Sequence, residues 1–225
     1  MARSFSLRTG VALALSSFLL VSGCSDSGTP AAESTASDSS SASAEPVSHV
    51  KSFSPYKDYS GLESSVAEFF SYGCSHCQAF APLIDGWSEK EGISVEYLPV
   101  VWSEETALQA RIHYLLKERE DFKTQHYALF EQVAALGNQG TPEERQAALM
   151  GWLTSLGYEA QELSAKLFSP EMDTALNRIQ KLGLYFQVRS TPTLVVAGRD
   201  KVLNDNLKSY EHLLEVATEQ FRLNQ

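Results

Sequence analysis

The chain has 225 residues, 43% of them hydrophobic and 20% charged, enough for one domain of ordinary size plus an insertion. A formal net charge of -10 argues against nucleic acid, which needs a basic face, and against unspecific attraction to anionic headgroups. The 3 cysteines are too few for a disulfide-stapled scaffold. Cys24 stands alone, while Cys74 and Cys77 form a close pair, so separate jobs are expected for the single residue and the pair.

At the N-terminus, Arg3 and Arg8 precede an apolar run from Val11 to Val21, too short to span a bilayer as a stable helix. A basic start, an apolar middle and small residues at the end read as a secretory signal. The end, Leu20-Val21-Ser22-Gly23-Cys24, resembles the bacterial lipoprotein cleavage box, in which the chain is cut before the cysteine and its sulfur is lipidated. Residues 1–23 are therefore expected to be a lipoprotein signal peptide. Ser25 to Pro46 contains no large apolar residue, so it cannot bury enough surface to offset its ordering entropy. Residues 24–46 are expected to form a lipidated, disordered tether with a reach of roughly 25–30 Å. By analogy with enterobacterial lipoproteins, Ser25 after the lipidated cysteine permits sorting to the outer membrane.

Ser65 to Ser71 carries β-formers and aromatics before a glycine and predicts a buried strand. A helix follows from Ser75, with Phe80, Leu83, Ile84 and Trp87 expected to face inward. Ile93 to Leu98 alternates and predicts a second strand; strand, helix and strand together predict a right-handed parallel crossover. From Glu104 to about Gly183 the pattern is helix after helix. Ala107, Ile112, Leu115 and Leu116 recur at helical spacing, as do Phe122, Tyr127, Phe130 and Val133. Thr141-Pro142-Glu143-Glu144 combines a capping box with proline at the first helical position, and Gly157 is a stop. Ser169-Pro170-Glu171 opens a further helix in the same way. Strand chemistry returns over Thr193 to Ala197; Lys201 to Leu203 would complete a hairpin, and a last helix carries Leu213, Leu214, Val216 and Phe221. The fold class is α/β, interrupted by an all-helical insert over 104–183 between segments 47–103 and 184–225. No internal repeat stands out.

Cys74-Ser75-His76-Cys77 lies where the buried strand gives way to the helix. On a first helical turn, two sulfurs at this spacing approach closely enough to bond. The helix N-terminus offers unpaired N–H groups and a partial positive charge, which stabilise a thiolate at Cys74, the species that attacks or leaves disulfides. His76 can add a cationic or hydrogen-bonding contribution. Cys77, facing inward, is the expected shielded thiol. A static structural disulfide and a zinc site are the competing readings. A complete ligand set for zinc is not visible, and histidine between the cysteines fits catalysis better.

Glu68-Phe69-Phe70-Ser71-Tyr72-Gly73-Cys74-Ser75-His76-Cys77 resembles the active site of the thioredoxin superfamily, in particular its DsbA-like branch, with a buried acid, two aromatics and Cys-x-His-Cys. Val188-Arg189-Ser190-Thr191-Pro192-Thr193-Leu194 is similar to the loop whose proline is cis and packs against the active-site disulfide. The helical insert between the two motifs also matches that branch, so the resemblance covers the chain from about residue 50 onward. It departs from the best-known member at Pro82, placed as in thioredoxins, and at Thr191, placed as in the isomerase and other oxidase branches.

The resemblance implies a thioredoxin fold with a helical insert, a redox-active Cys74–Cys77 disulfide with no other cofactor and no metal, and disulfide donation to unfolded or reduced exported proteins in the periplasm through a mixed disulfide at Cys74. It further implies Thr191 and Pro192 as a backbone edge for substrate, Glu68 as a buried acid exchanging a proton with Cys77, and reoxidation by a quinone-linked, DsbB-like membrane partner. The alternatives are an isomerase or reductase of the same fold, or a non-catalytic chaperone-like lipoprotein. With only signal and tether ahead of residue 47, a monomer on the inner or outer membrane is expected. His49, His113, His126 and His212 are scattered, and surface or satisfied core roles are expected for them.

Overall fold

The computed structural model describes residues 49–57, 60–204 and 207–225. The expected signal peptide, Cys24 and the expected tether through Pro46 lie outside the described residues. The described elements run β1 (Val50–Ser52), β2 (Ser65–Phe70), α1 (Ser75–Glu91), β3 (Ser94–Pro99), α2 (Glu104–Lys117), α3 (Phe122–Leu136), α4 (Pro142–Ser155), α5 (Ala160–Leu167), α6 (Pro170–Tyr185), β4 (Thr193–Val196), β5 (Asp200–Val202) and α7 (Tyr210–Leu223).

The strands form one sheet in the order β1-β5-β4-β2-β3. β2 and β3 are parallel and in register, Glu68 opposite Tyr97, as the crossover through α1 requires. β4 returns antiparallel to β2 and forms a hairpin with β5. All six residues of β2 are buried, because helices cover both faces, so its sequence reads as a continuous apolar run instead of an alternation. Val66 packs with Phe80, Ile84, Trp87, Leu213 and Leu214 of α1 and α7. Ala67 and Phe69, pointing the other way, pack with Ile179, Leu182 and Phe186. The short edge strand β1, paired antiparallel with β5, left no readable signal in its three residues.

α1 buries Cys77, Phe80, Ala81, Ile84 and Trp87. Leu83, expected inward, is instead 39% exposed: at 100° per residue it falls at the border of the stripe centred on Phe80 and Ile84. Gly92 closes the helix in the left-handed region, φ 67. In the helical segment, Thr141 and Glu144 form a reciprocal capping box with Pro142 at the first position of α4. Ser169 caps α6 through the Met172 N–H, and Gly157 follows α4 with φ 94. One core joins this segment to the sheet: Phe70, Tyr72, Cys77 and Ala81 pack in the same cluster as Ile112, Leu115, Phe130, Leu149 and Leu153. The insert therefore buries its apolar faces against the strand-to-helix junction that holds the cysteines. No described helix is long and apolar enough to cross a membrane.

Candidate active site

Cys74 is the N-cap of α1, with extended backbone (φ -98, ψ 110). Its N–H donates to Ser71 O at 3.1 Å, and its sulfur accepts from the Cys77 N–H at 3.3 Å. A sulfur in this position takes the place of the oxygen that usually caps a helix, and the orphan N–H groups of the first turn favour negative charge on it. Cys77 is 0% exposed and Cys74 is partly exposed, both as free thiols. Of these two described cysteines, Cys74 is the one a macromolecule can reach.

The Cys77 thiol, donating to Cys74, is the largest influence on Cys74. With the Thr191 hydroxyl and the backbone N–H groups of Cys77 and His76, it brings Cys74 down from 9.0 to about 5, against burial, which opposes the charge. Cys77 is pushed well up by the same partnership, by burial and by the negative field of Glu68. One thiol is thus prepared to ionise and the other to hold the proton.

The ring of His76 points away from the pair: Nδ1 lies 2.9 Å from Tyr210 Oη, and that hydroxyl also donates to the His76 carbonyl at 3.3 Å. His76 therefore touches the thiolate through its backbone N–H. Tyr210, which no sequence motif marked, fixes the imidazole across α7.

The Thr191–Pro192 peptide bond is cis. Thr191 O lies 3.5 Å from Cys74 Sγ and accepts from the thiol when Cys74 is protonated. Asn204 Nδ2 donates to Pro192 O at 2.6 Å, and Thr193 Oγ1 to Ser190 O at 2.7 Å, so the loop is pinned on both sides of the proline. A cavity of about 600 Å³ lined by Tyr72, Cys74, Trp102, Gln109 and Thr191 opens on one side. A groove of about 510 Å³ lined by His76, Thr191, Pro192, Leu207 and Tyr210 opens on the other. Both are large enough for side chains of an extended peptide.

Glu68 is 1% exposed, not a solvent-facing strand residue. Burial, followed by the charges of Asp85 and Cys74, pushes its carboxyl well above the usual range. His113 and His126, far apart in sequence, meet at Tyr72: both Nδ1 atoms lie 2.8 Å from Tyr72 Oη. The hydroxyl donates to a bare Nδ1 on one ring and accepts from an Nδ1–H on the other, so the two rings carry opposite protonation at Nδ1. Burial lowers both histidines, His126 to about 4. Their role is to anchor the turn before Cys74 to α2 and α3. His49 and His212 also meet, ring edge to face at 5.2 Å. Among the described residues no cluster of three or more His, Cys, Asp or Glu side chains could hold a metal ion.

Residues 81–215 match the family model described as DSBA-like thioredoxin domain. That stretch includes Thr191 and Pro192 and begins just downstream of the cysteines, whose assignment stands on the geometry above. The chain is 29% identical over 137 residues to the thiol:disulfide interchange protein DsbA of Pseudomonas aeruginosa, covering 60% of this chain and 63% of that protein. It is 26% identical over 155 residues to the protein of the same description from Azotobacter vinelandii, covering 68% and 71%. The crystal structure of Pseudomonas aeruginosa DsbA superimposes with a TM-score of 0.63 at 26% identity, over 78% of this chain and 93% of that one. The sequence match thus spans 63% of the length of the first of these relatives. More than half of the chain matches the family model, and the sheet, the helical insert and the cis-proline loop beside a Cys-x-x-Cys helix cap agree with it: the chain belongs to the family of DSBA-like thioredoxin domains.

Proposed function

We propose that the protein is an exported thiol:disulfide interchange enzyme that donates a Cys74–Cys77 disulfide to proteins entering the periplasm. The observation that carries this reading is the asymmetry of the pair: a partly exposed Cys74 sulfur capping α1, with Cys77 fully buried behind it. A substrate thiolate attacks Cys74 Sγ, the enzyme S–S bond breaks, and Cys77 leaves with the electron pair and takes a proton. A second substrate thiolate attacks the substrate sulfur of the mixed disulfide. It forms the substrate disulfide and releases Cys74 as a stabilised thiolate. Two electrons stay on the enzyme dithiol and pass to a quinone-linked, DsbB-like membrane partner. Thr191 and Pro192 present backbone groups to the extended substrate beside Cys74, Glu68 exchanges the proton with Cys77, and His76 adds its backbone N–H to the thiolate.

Cys24, lipidated after cleavage of residues 1–23, anchors the enzyme to the inner or outer membrane through the tether. Replacing Cys24 with Ser is expected to release the exported protein from the membrane fraction; retention there would refute the anchor.

The redox equilibrium of the purified protein against a glutathione buffer series tests the direction. Each tenfold stabilisation of the Cys74 thiolate makes the disulfide a stronger oxidant by about 30 mV. An oxidising potential, with the disulfide lost even in mildly reducing mixtures, supports the oxidase. A thioredoxin-like reducing potential would favour the second reading, an isomerase or reductase, to which Pro82 within α1 and Thr191 before the cis-proline point.

A further inference from the structure

A second carboxyl lies close to the buried acid and has its own set of donors. Asp85, on α1, is 16% exposed. Tyr97 Oη donates to Oδ1 at 2.5 Å and Tyr127 Oη donates to Oδ2. Lys123 Nζ lies 3.5 Å from the same oxygen and donates to Glu89 at 2.8 Å. Each of these neighbours can give a hydrogen bond or positive charge to the Asp85 carboxyl, whose two oxygens are thus both engaged.

Tyr97 is the residue opposite Glu68 in the parallel β2–β3 register. Residues paired in this way point to the same face, so Tyr97 stands beside Glu68 in the sheet and is bonded to Asp85. Negative charge at Asp85 repels negative charge on Glu68, as does the Cys74 thiolate. On the α2 and α3 side, His113 and His126 meet at the Tyr72 hydroxyl, and burial lowers both rings and disfavours their charged forms, so they bring little compensating charge.

We propose that Asp85 is a positioning residue for the interchange reaction: held as a carboxylate by Tyr97, Tyr127 and Lys123, it keeps the proton of the carboxyl pair on Glu68, where Cys77 can take it. The inference rests on the thiol–disulfide reading of the pair. When a substrate thiolate breaks the Cys74–Cys77 bond, the Cys77 thiolate takes the Glu68 proton, leaving Cys77–SH and a Glu68 carboxylate. That carboxylate lies near the Asp85 charge, so it recovers a proton from solvent and the pair returns to one proton and one charge. A buried carboxyl beside a standing negative charge keeps its proton more firmly, which gives Glu68 the acid role. With Asp85 neutral, Glu68 would give up its proton to solvent more readily and reach the leaving thiolate empty more often.

The test is a carbon-13 NMR titration of the Glu68 carboxyl in the oxidised protein, where no thiolate interferes, with its resonance assigned by loss in Glu68→Gln. Asp85→Asn is expected to move the Glu68 midpoint to lower pH, Tyr127→Phe to move it the same way by less, and Asp85→Glu to restore it. If Asp85→Asn does not fold, Tyr127→Phe, at a partly exposed position, carries the test. A packing role alone would lower Tm and leave the midpoint in place, and an unmoved midpoint in the folded variants overturns the proposal. Stopped-flow reduction by dithiothreitol supplies the functional arm. The alkaline decline in rate should shift to lower pH in Asp85→Asn, with a several-fold loss at neutral pH; a shifted midpoint with an unshifted rate profile also overturns it. No exchange with dithiothreitol in the wild-type protein would sink the oxidoreductase reading instead, while the titration would still report whether Asp85 sets the proton on Glu68.

Discussion

Replacing Cys74 with Ala in the reduced protein should expose a stability term that depends on pH in a defined window. The Cys74 thiol is lowered from 9.0 to about 5 by the Cys77 thiol, the Thr191 hydroxyl and the first-turn N–H groups. An acid whose folded-state value is depressed stabilises the fold above its unfolded value, and that contribution disappears as pH falls through the folded value. The window is therefore about pH 9 down to about pH 5. At about 1.4 kcal/mol per tenfold change, the full effect is bounded near roughly 5 kcal/mol. Because Cys74 is partly in water and screened there, about half of that, roughly 2–3 kcal/mol, is the expected difference between wild type and Cys74→Ala at alkaline pH. It should shrink to near zero by about pH 4, below the folded value. Urea unfolding of both reduced proteins across this range measures it, because ionisations remote from Cys74 cancel between the pair and the remaining difference is the Cys74 charge with its effect on Cys77 and Glu68. Thiolate ultraviolet absorbance in the same samples should lose half its amplitude near pH 5. A stability difference that stays flat with pH, or a thiolate midpoint near the ordinary value of 9.0, would refute the reasoning from the helix cap.

Three further outcomes follow from the same geometry. Cys77→Ser should accumulate mixed disulfides between Cys74 and reduced substrates, whereas Cys74→Ser should form none, read by non-reducing electrophoresis; trapping by Cys74→Ser would reverse the assignment. His126 is lowered from 6.5 to about 4 by burial, so the unfolded chain binds its proton first and the fold should lose stability as pH falls from about 6.5 to about 4; His126→Phe should flatten that part of the curve, and an unchanged slope would mean that the ring is reached by water. Phe130→Ala, deep in the cluster joining α3 to the strand-to-helix junction, should cost about 3–5 kcal/mol in chemical unfolding, and a loss under about 1 kcal/mol would mean that the insert does not share its core with the sheet.

What is local in this protein was legible in the chain. The capping box at Thr141, the helix start at Ser169, the hairpin from Thr193 and the helix opening just after Cys74 depend on residues a few positions apart. Hydrogen bonding and chain stiffness at that range are written directly in the residue order. The placement of the cysteine pair was legible for the same reason, since Cys74 and Cys77 are neighbours on one helical turn. Leu83 shows the limit of such patterns: a border position of a stripe turns in or out according to what packs there, and here solvent took it.

The surroundings of the sulfurs were decided only by folding. Thr191 reaches Cys74 across 117 positions, and Tyr210 reaches His76 across 134. Tyr72 gathers two histidines from separate helices, and Asp85 collects hydroxyls from a strand and a helix. Apart from Thr191 and His76, which the two motifs marked, these partners are ordinary polar residues whose spacing carries no period, so nothing in the chain distinguishes them from surface residues. Burial gives them their effect. In the dry junction between the sheet, α1 and the insert, a hydroxyl, a neutral imidazole or a carboxylate decides where a proton sits, and only the tertiary structure brings them there.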